Sequence, residues 1–98
     1  MPRVLLARRT RVTLAAQPIY RRAAAELAAR FAGRGQHVWV FRSTADPELL
    51  LEFREAKDPA GLEPAAREEA ALDARLHAVA EYDTGEPLWE EFPLSEEG

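Results

Sequence analysis

No cysteine occurs in this 98-residue chain. Disulfides and thiolate metal sites are thereby excluded, and the composition suits a reducing cytoplasm, where the protein is expected. Asparagine is absent, and lysine occurs once, at Lys57, against twelve arginines. No stretch of about 18 apolar residues exists, so no membrane span is expected. The opening Met-Pro-Arg-Val-Leu-Leu-Ala-Arg-Arg holds too short an apolar run for a secretory signal. Only five glycines are present, and none falls in a phosphate-loop pattern. Ser43, Thr44 and Ser95 have no histidine in a recognised nucleophile arrangement. No motif specifies a reaction, calls for a cofactor or assembles a metal site, so enzymatic and non-enzymatic readings both stand.

What is present is a duplicated order of signals. An apolar run at 4–7 precedes a helix-period segment at 18–31 and a β-rich run at 38–41. A second apolar run at 49–53 precedes a second helical segment at 64–82 and a last short run at 88–94. That is βαβ twice at nearly the same spacing. With 47% apolar residues the chain reads as one folded domain spanning 1–98, with 95–98 a frayed tail. A core of this size is modest, and a homodimer would help bury the remainder.

The net charge of −4 conceals an asymmetry. Residues 1–49 hold nine arginines against three acids; residues 50–98 hold four bases against fourteen acids. The halves are expected to pack together and neutralise each other. A basic nucleic-acid face is the weaker reading, because no exposed aromatics interleave with the arginines.

Strand one is expected over 3–13. Pro18 opens helix one, where a missing amide hydrogen costs nothing. Ile19, Ala23, Leu27 and Phe31 form its apolar stripe, widened by Tyr20, Ala24 and Ala28. Gly33 and Gly35 stop it, one of them in the left-handed region. Strand two, 36–43, alternates: His37, Trp39 and Phe41 share one face, Val38, Val40 and Arg42 the other. Asp46-Pro47 turns the chain into strand three, 48–55. Pro64 opens helix two, with Leu72, Leu76 and Val79 on its buried side. Residues 83–87 make a turn, and strand four follows at 88–94. The predicted fold is α+β: a ferredoxin-like βαββαβ sandwich with antiparallel sheet order 4-1-3-2 and both helices on one face. The opposite face would be left apolar and bare, which is the physical reason to expect a dimer.

This pattern resembles the antibiotic-biosynthesis-monooxygenase-like family of dimeric α/β-barrel proteins. The carrying features are the segment 35–43 (Gly-Gln-His-Val-Trp-Val-Phe-Arg-Ser), Asp46-Pro47, Leu49-Leu50-Leu51-Glu52-Phe53, the acidic loop at Asp58, and Pro87-Leu88-Trp89-Glu90-Glu91-Phe92. The resemblance implies two sheets packed back to back, a pocket in each half of the dimer, and relatives that oxygenate polyketide-like aromatics or degrade haem. The family's usual catalytic residues do not carry over. This chain has no asparagine, Ala56 stands where a tryptophan often precedes the loop aspartate, and Leu62-Glu63-Pro64-Ala65 lacks the histidine that commonly follows it.

Candidate ligand-pocket residues are His37, Trp39, Phe41, Arg54 and Trp89. The three strand-two residues could line a site for an apolar or aromatic molecule between sheet and partner, with His37 and Arg54 as polar contacts. The bland alternative is a non-catalytic interaction module whose barrel is filled by these side chains. With Leu49, Leu51 and Phe53 taken as the helix-facing set, Glu52 and Arg54 face the dimer cavity and pair there, with Arg8 or Arg42 as partners. Asp73, His77 and Glu81, spaced by four, suggest a metal half-site, but a solvated helix face has the same spacing. Asp83-Thr84-Gly85 matches the aspartic-protease triplet; its flanks, Glu81-Tyr82 and Glu86-Pro87, suit an exposed turn instead.

Overall fold

The computed structural model describes residues 2–83 and 88–94. Along the chain run β1 (Val4–Arg11), α1 (Gln17–Ala32), β2 (His37–Arg42), β3 (Leu49–Ala56), α2 (Arg67–Val79), β4 (Glu81–Tyr82) and β5 (Leu88–Glu90). The sheet is antiparallel in the order β2-β3-β1-β4, and β5 pairs with the same edge of β1 as β4 does. The expected 4-1-3-2 order therefore holds. Its fourth strand is split: Thr10 and Arg11 pair with β4, Val4 to Leu6 with β5. The expected strand at 88–94 is shorter than predicted, ending at Glu90. The predicted turn at 84–87 and tail at 95–98 lie outside the described residues.

Local chemistry sets the boundaries. Thr13 caps a 3-10 turn (Leu14–Ala16) through its side chain, and Pro18 sits in the first turn of α1 as predicted. The stop is Gly35, at φ 75°, which lets the amide of Gln36 bond back to the carbonyl of Phe31. Asp46 makes the β2–β3 turn: its Oδ1 accepts the Glu48 amide at 3.0 Å and its carbonyl accepts that of Leu49. Helix two starts three residues later than predicted. Asp58 caps a 3-10 turn (Pro59–Leu62) by accepting the Gly61 amide, and Glu63 continues in extended backbone.

The core lies between the helices and one face of the sheet. Tyr20, Ala23, Ala24, Leu27 and Phe31 of α1 meet Leu72 and Leu76 of α2, with Val12 and Leu50 beneath. Ile19, predicted as part of the stripe, is exposed. It lies one position before Tyr20, and the burial of Tyr20 turns it outward.

Strand phase is the main correction. Leu50, Glu52, Arg54 and Ala56 are the buried set of β3, whereas Leu49, Leu51 and Phe53 lie on the opposite face. Glu52 and Arg54 thus sit under the helices, not in a dimer cavity. Their apolar neighbours on β3 join Leu5, Trp39, Phe41 and Trp89 on the open face. The charge asymmetry resolves as expected: Arg3, Arg8 and Arg34 of the basic half pair with Glu55, Glu52 and Glu69 of the acidic half.

Candidate functional site

Glu52 is 2% exposed, and its carboxylate is the hub of a network drawn from four elements. Oε1 accepts from Arg8 Nη2 of β1 at 3.1 Å and from Arg54 Nε of β3 at 3.0 Å. Oε2 accepts from the Tyr20 hydroxyl of α1 at 2.5 Å and the Tyr82 hydroxyl of β4 at 2.9 Å. The register explains the convergence. Arg8 lies directly opposite Glu52 on the neighbouring strand, Thr10 lies opposite Tyr82, and Glu52 and Arg54 share a face by alternation. Burial alone would push the Glu52 carboxyl up. The Arg54 charge, the Tyr20 hydroxyl, Arg8 and Tyr82 outweigh it and hold the carboxyl below the usual range. Burial, reinforced by the Glu52 charge, pushes both tyrosine hydroxyls up, so they remain donors.

With four donors on two oxygens, Glu52 has no acceptor capacity left for a substrate. Its role is to fix the arginines. Arg54 passes its Nη2 to Asp73 Oδ1 of α2 at 2.8 Å. Arg8 lays its guanidinium carbon 3.9 Å above the Tyr82 ring, and its Nε is buried without a partner. His77, one turn beyond Asp73, packs on Tyr82 with ring centroids 4.7 Å apart.

Beside this network is a cavity of about 340 Å³. Leu6, Leu62 and Leu88 supply apolar wall, and Arg8, Arg54, Glu63, Asp73 and His77 supply polar wall. A larger groove of about 470 Å³ runs between α1 and β2, but Tyr20 is its only link to the buried network. The smaller cavity joins an apolar wall to a few converging polar groups, the composition of a small-molecule site.

The five residues predicted to line a pocket divide between the two faces of the sheet. Trp39, Phe41 and Trp89 lie on the open face at 42%, 58% and 61% exposure, with His37 beside them. His37 stacks on Trp39 with centroids 5.0 Å apart and places Nδ1 2.8 Å from Glu55 Oε1. Arg54 is buried on the helix face and does not meet the other four. Of the partners expected for Glu52, Arg8 is one. Arg42 instead bonds Gln17 Oε1 at 2.8 Å. Glu81 is in β4, beyond the end of α2, so it shares no helix face with Asp73 and His77. Among the described residues no cluster of three metal-ligating side chains forms. Residues Thr84 and Gly85 of the protease-like triplet lie outside the described residues. Tyr20 and Tyr82 carry no site signal in the sequence, since a tyrosine beside an apolar stripe reads as core until its hydroxyl partner is known.

No family model and no curated protein sequence matches the chain. Solved structures do. A conserved protein from Methanosarcina mazei superposes with a TM-score of 0.75 at 14% identity, covering 94% of this chain and 95% of that one. A variant of SnoaB, a cofactor-independent oxygenase from Streptomyces nogalater, gives 0.73 at 15%, covering 97% and 96%. The fold is that of antibiotic biosynthesis monooxygenases. A Chloroflexus aurantiacus protein named for that group adds a TM-score of 0.70 at 15% identity, covering 98% and 97%. At such identities the monooxygenase-like fold is shared, while the residues of the site are this chain's own. No helix among the described residues is long and apolar enough to cross a membrane.

Proposed function

We propose that the chain is a cytoplasmic, homodimeric α/β-barrel protein that binds a small apolar or aromatic molecule in the cavity between β1, β3 and α2. The observation that carries this reading is the junction of a leucine wall with the Arg8–Asp73–His77 edge around about 340 Å³. A volume of that order suits a small organic ligand. Support for chemistry of the oxygenase type comes from the likeness to SnoaB, which is a cofactor-independent oxygenase. The dimer reading rests on the open face, where Leu5, Trp39, Phe41, Leu51, Phe53 and Trp89 form an apolar surface of the kind a second copy covers. Calorimetric titration with para-nitroanisole, a neutral aromatic, tests the pocket. A dissociation constant of roughly 100 μM is expected for so small a ligand, and it is lost in Leu62→Trp, which fills the cavity. No binding to the unmodified protein would contradict the proposal.

A second reading has its own observation. Phe41 and Phe53 meet edge to face at 5.6 Å beside the stacked His37 and Trp39, so this face already carries large side chains able to fill a barrel. In that reading the open face serves assembly alone and the protein is a non-catalytic interaction module.

A further inference from the structure

The broad groove between α1 and β2 is polarised along its length. Gln17, Arg21, Ala24, Ala25 and Ala28 line it from the helix, and their spacing by threes and fours puts them on one face. Val38, Val40 and Arg42 line it from the strand, where alternation puts them together. The strand runs back along the helix: Arg42 Nη2 donates to Gln17 Oε1 at 2.8 Å, at the start of α1. Arg21 stands one turn further on. Both arginines therefore lie towards one end of the groove, and the three alanines with Val38 and Val40 make up the rest.

Charge and shape together say what such a groove takes. Arg21 and Arg42 are exposed, and among the described residues neither forms a salt bridge. No carboxylate lines the groove, although the chain carries a net charge of −4. The amino end of α1, at Gln17, adds the positive pole of the helix on the same side. The lining from Gln17 to Ala28 covers about 16 Å of helix, at a rise of about 1.5 Å per residue. A volume of about 470 Å³ spread over that length leaves a cross-section of about 30 Å², enough for one hydrocarbon chain laid along the alanines. Leu50 and the Tyr20 ring, both buried, give that chain an apolar floor.

We propose that this groove binds a single-chain amphiphile with a carboxylate head, the carboxylate between Arg21 and Arg42 and the chain along Ala24, Ala25 and Ala28 towards Val38. Guanidinium groups match a carboxylate through paired N–H donors, and the chain gains by leaving water. Arg42 is held for this role by Gln17, which is itself anchored: its Nε2 donates to the carbonyls of Val12 at 3.1 Å and Pro47 at 2.8 Å. The site is separate from the cavity beside α2 and does not depend on the ligand reading given above.

Calorimetric titration of the full chain with decanoate tests the proposal, with decylammonium as the same chain carrying the opposite charge. Decanoate is expected to bind at least about tenfold more tightly than decylammonium, the margin of a charge-assisted hydrogen bond. Arg21→Glu is expected to weaken decanoate by at least about tenfold. Ala25→Trp, which fills the groove from an exposed position, is expected to abolish binding. Circular dichroism stays that of the folded chain in both variants. Leu62→Trp, which fills the cavity beside α2, leaves decanoate binding as it is. Equal binding of the two probes, or decanoate binding that survives both Arg21→Glu and Ala25→Trp, overturns the proposal. So does loss of decanoate binding in Leu62→Trp, which would place the probe in the other cavity. Absence of binding to the unmodified chain overturns it as well. If binding then appears on replacing the exposed Phe92 and Leu94 by serine, the occupant is the C-terminal segment of a second copy.

Discussion

The two faces of the sheet are built in opposite ways. The face under the helices is covered, yet it carries Thr10, Glu52 and Arg54, all nearly or fully buried. The uncovered face carries Trp39, Phe41, Leu51 and Trp89, all exposed. In an isolated domain the reverse is expected, because removal of apolar area from water is what stabilises a fold, at about 25 cal/mol per Å². The buried face tolerates its charges because each is matched: Glu52 receives four donors, and Arg54 bridges two carboxylates. The open face has no such internal solution. Its edge-to-face and stacked rings leave apolar area that only another surface can cover. On the proposed reading, one face serves a ligand and the other a second copy.

The largest effect expected is on the buried side. Glu52→Ala leaves the buried Arg54, the partly buried Arg8 and two tyrosine hydroxyls without this acceptor, which costs about 3–5 kcal/mol. In a chain of this size that lowers the midpoint of thermal unfolding by more than about 10 °C, as calorimetry would show. A change of only a degree or two would mean that the network is not the structural hub of this face.

On the open side the effect falls on assembly. Trp39→Asp places a charge in the proposed interface and is expected to weaken dimerisation by about 2–4 kcal/mol, while circular dichroism remains that of the folded chain. Loss of fold together with loss of mass would show that the two faces are not separable.

The pH dependence of unfolding sharpens the contrast further. The Glu52 carboxyl is held below its ordinary value of 4.5 in the folded state. Its contribution is therefore complete above that value and lost as the pH falls through the depressed folded one. Glu69 acts in the same direction through its hydrogen bonds from Arg34. Tyr20 and Tyr82 hold their protons more tightly when folded, so their contribution is complete below about pH 10 and lost as the pH rises beyond it. Denaturant midpoints are expected to plateau between these limits, and in Glu52→Gln the acid-side slope becomes shallower.

The smallest effect serves as a control away from both faces. Gly35 is the one positive-φ residue among the described residues, and a Cβ there meets no neighbour within 4 Å. Gly35→Ala is expected to cost about 1–2 kcal/mol through backbone conformation alone, with ligand binding and mass unchanged.

Much of this architecture was legible in the amino-acid order. The doubled βαβ pattern predicted the strand order and the common side of the helices, and Gly35, Asp46 and Pro18 marked boundaries through local chemistry. The phase of β3 was not legible. Alternation separates Leu49, Leu51 and Phe53 from Leu50, Glu52 and Arg54, but it does not say which set is covered. Choosing the more apolar set as buried is reasonable for a monomer, and here it inverts the sheet. The same inversion separated Arg54 from the aromatic candidates. The site's hydroxyl donors were hidden for a related reason. Tyr20 and Tyr82 lie 62 positions apart, and only cross-strand register and helix packing bring them to one carboxylate. α2 starts late because the backbone is extended at Glu63, after the 3-10 turn, and again at Ala66, so Pro64 falls in the connection and not in the helix.

The division of the sheet into a ligand face and a partner face is tested most directly by the mass in solution. Light scattering on the purified chain at micromolar concentration is predicted to give twice the 11.0 kDa of one copy. A mass of 11.0 kDa, with the chain folded, would contradict the assignment of the aromatic face to a second copy.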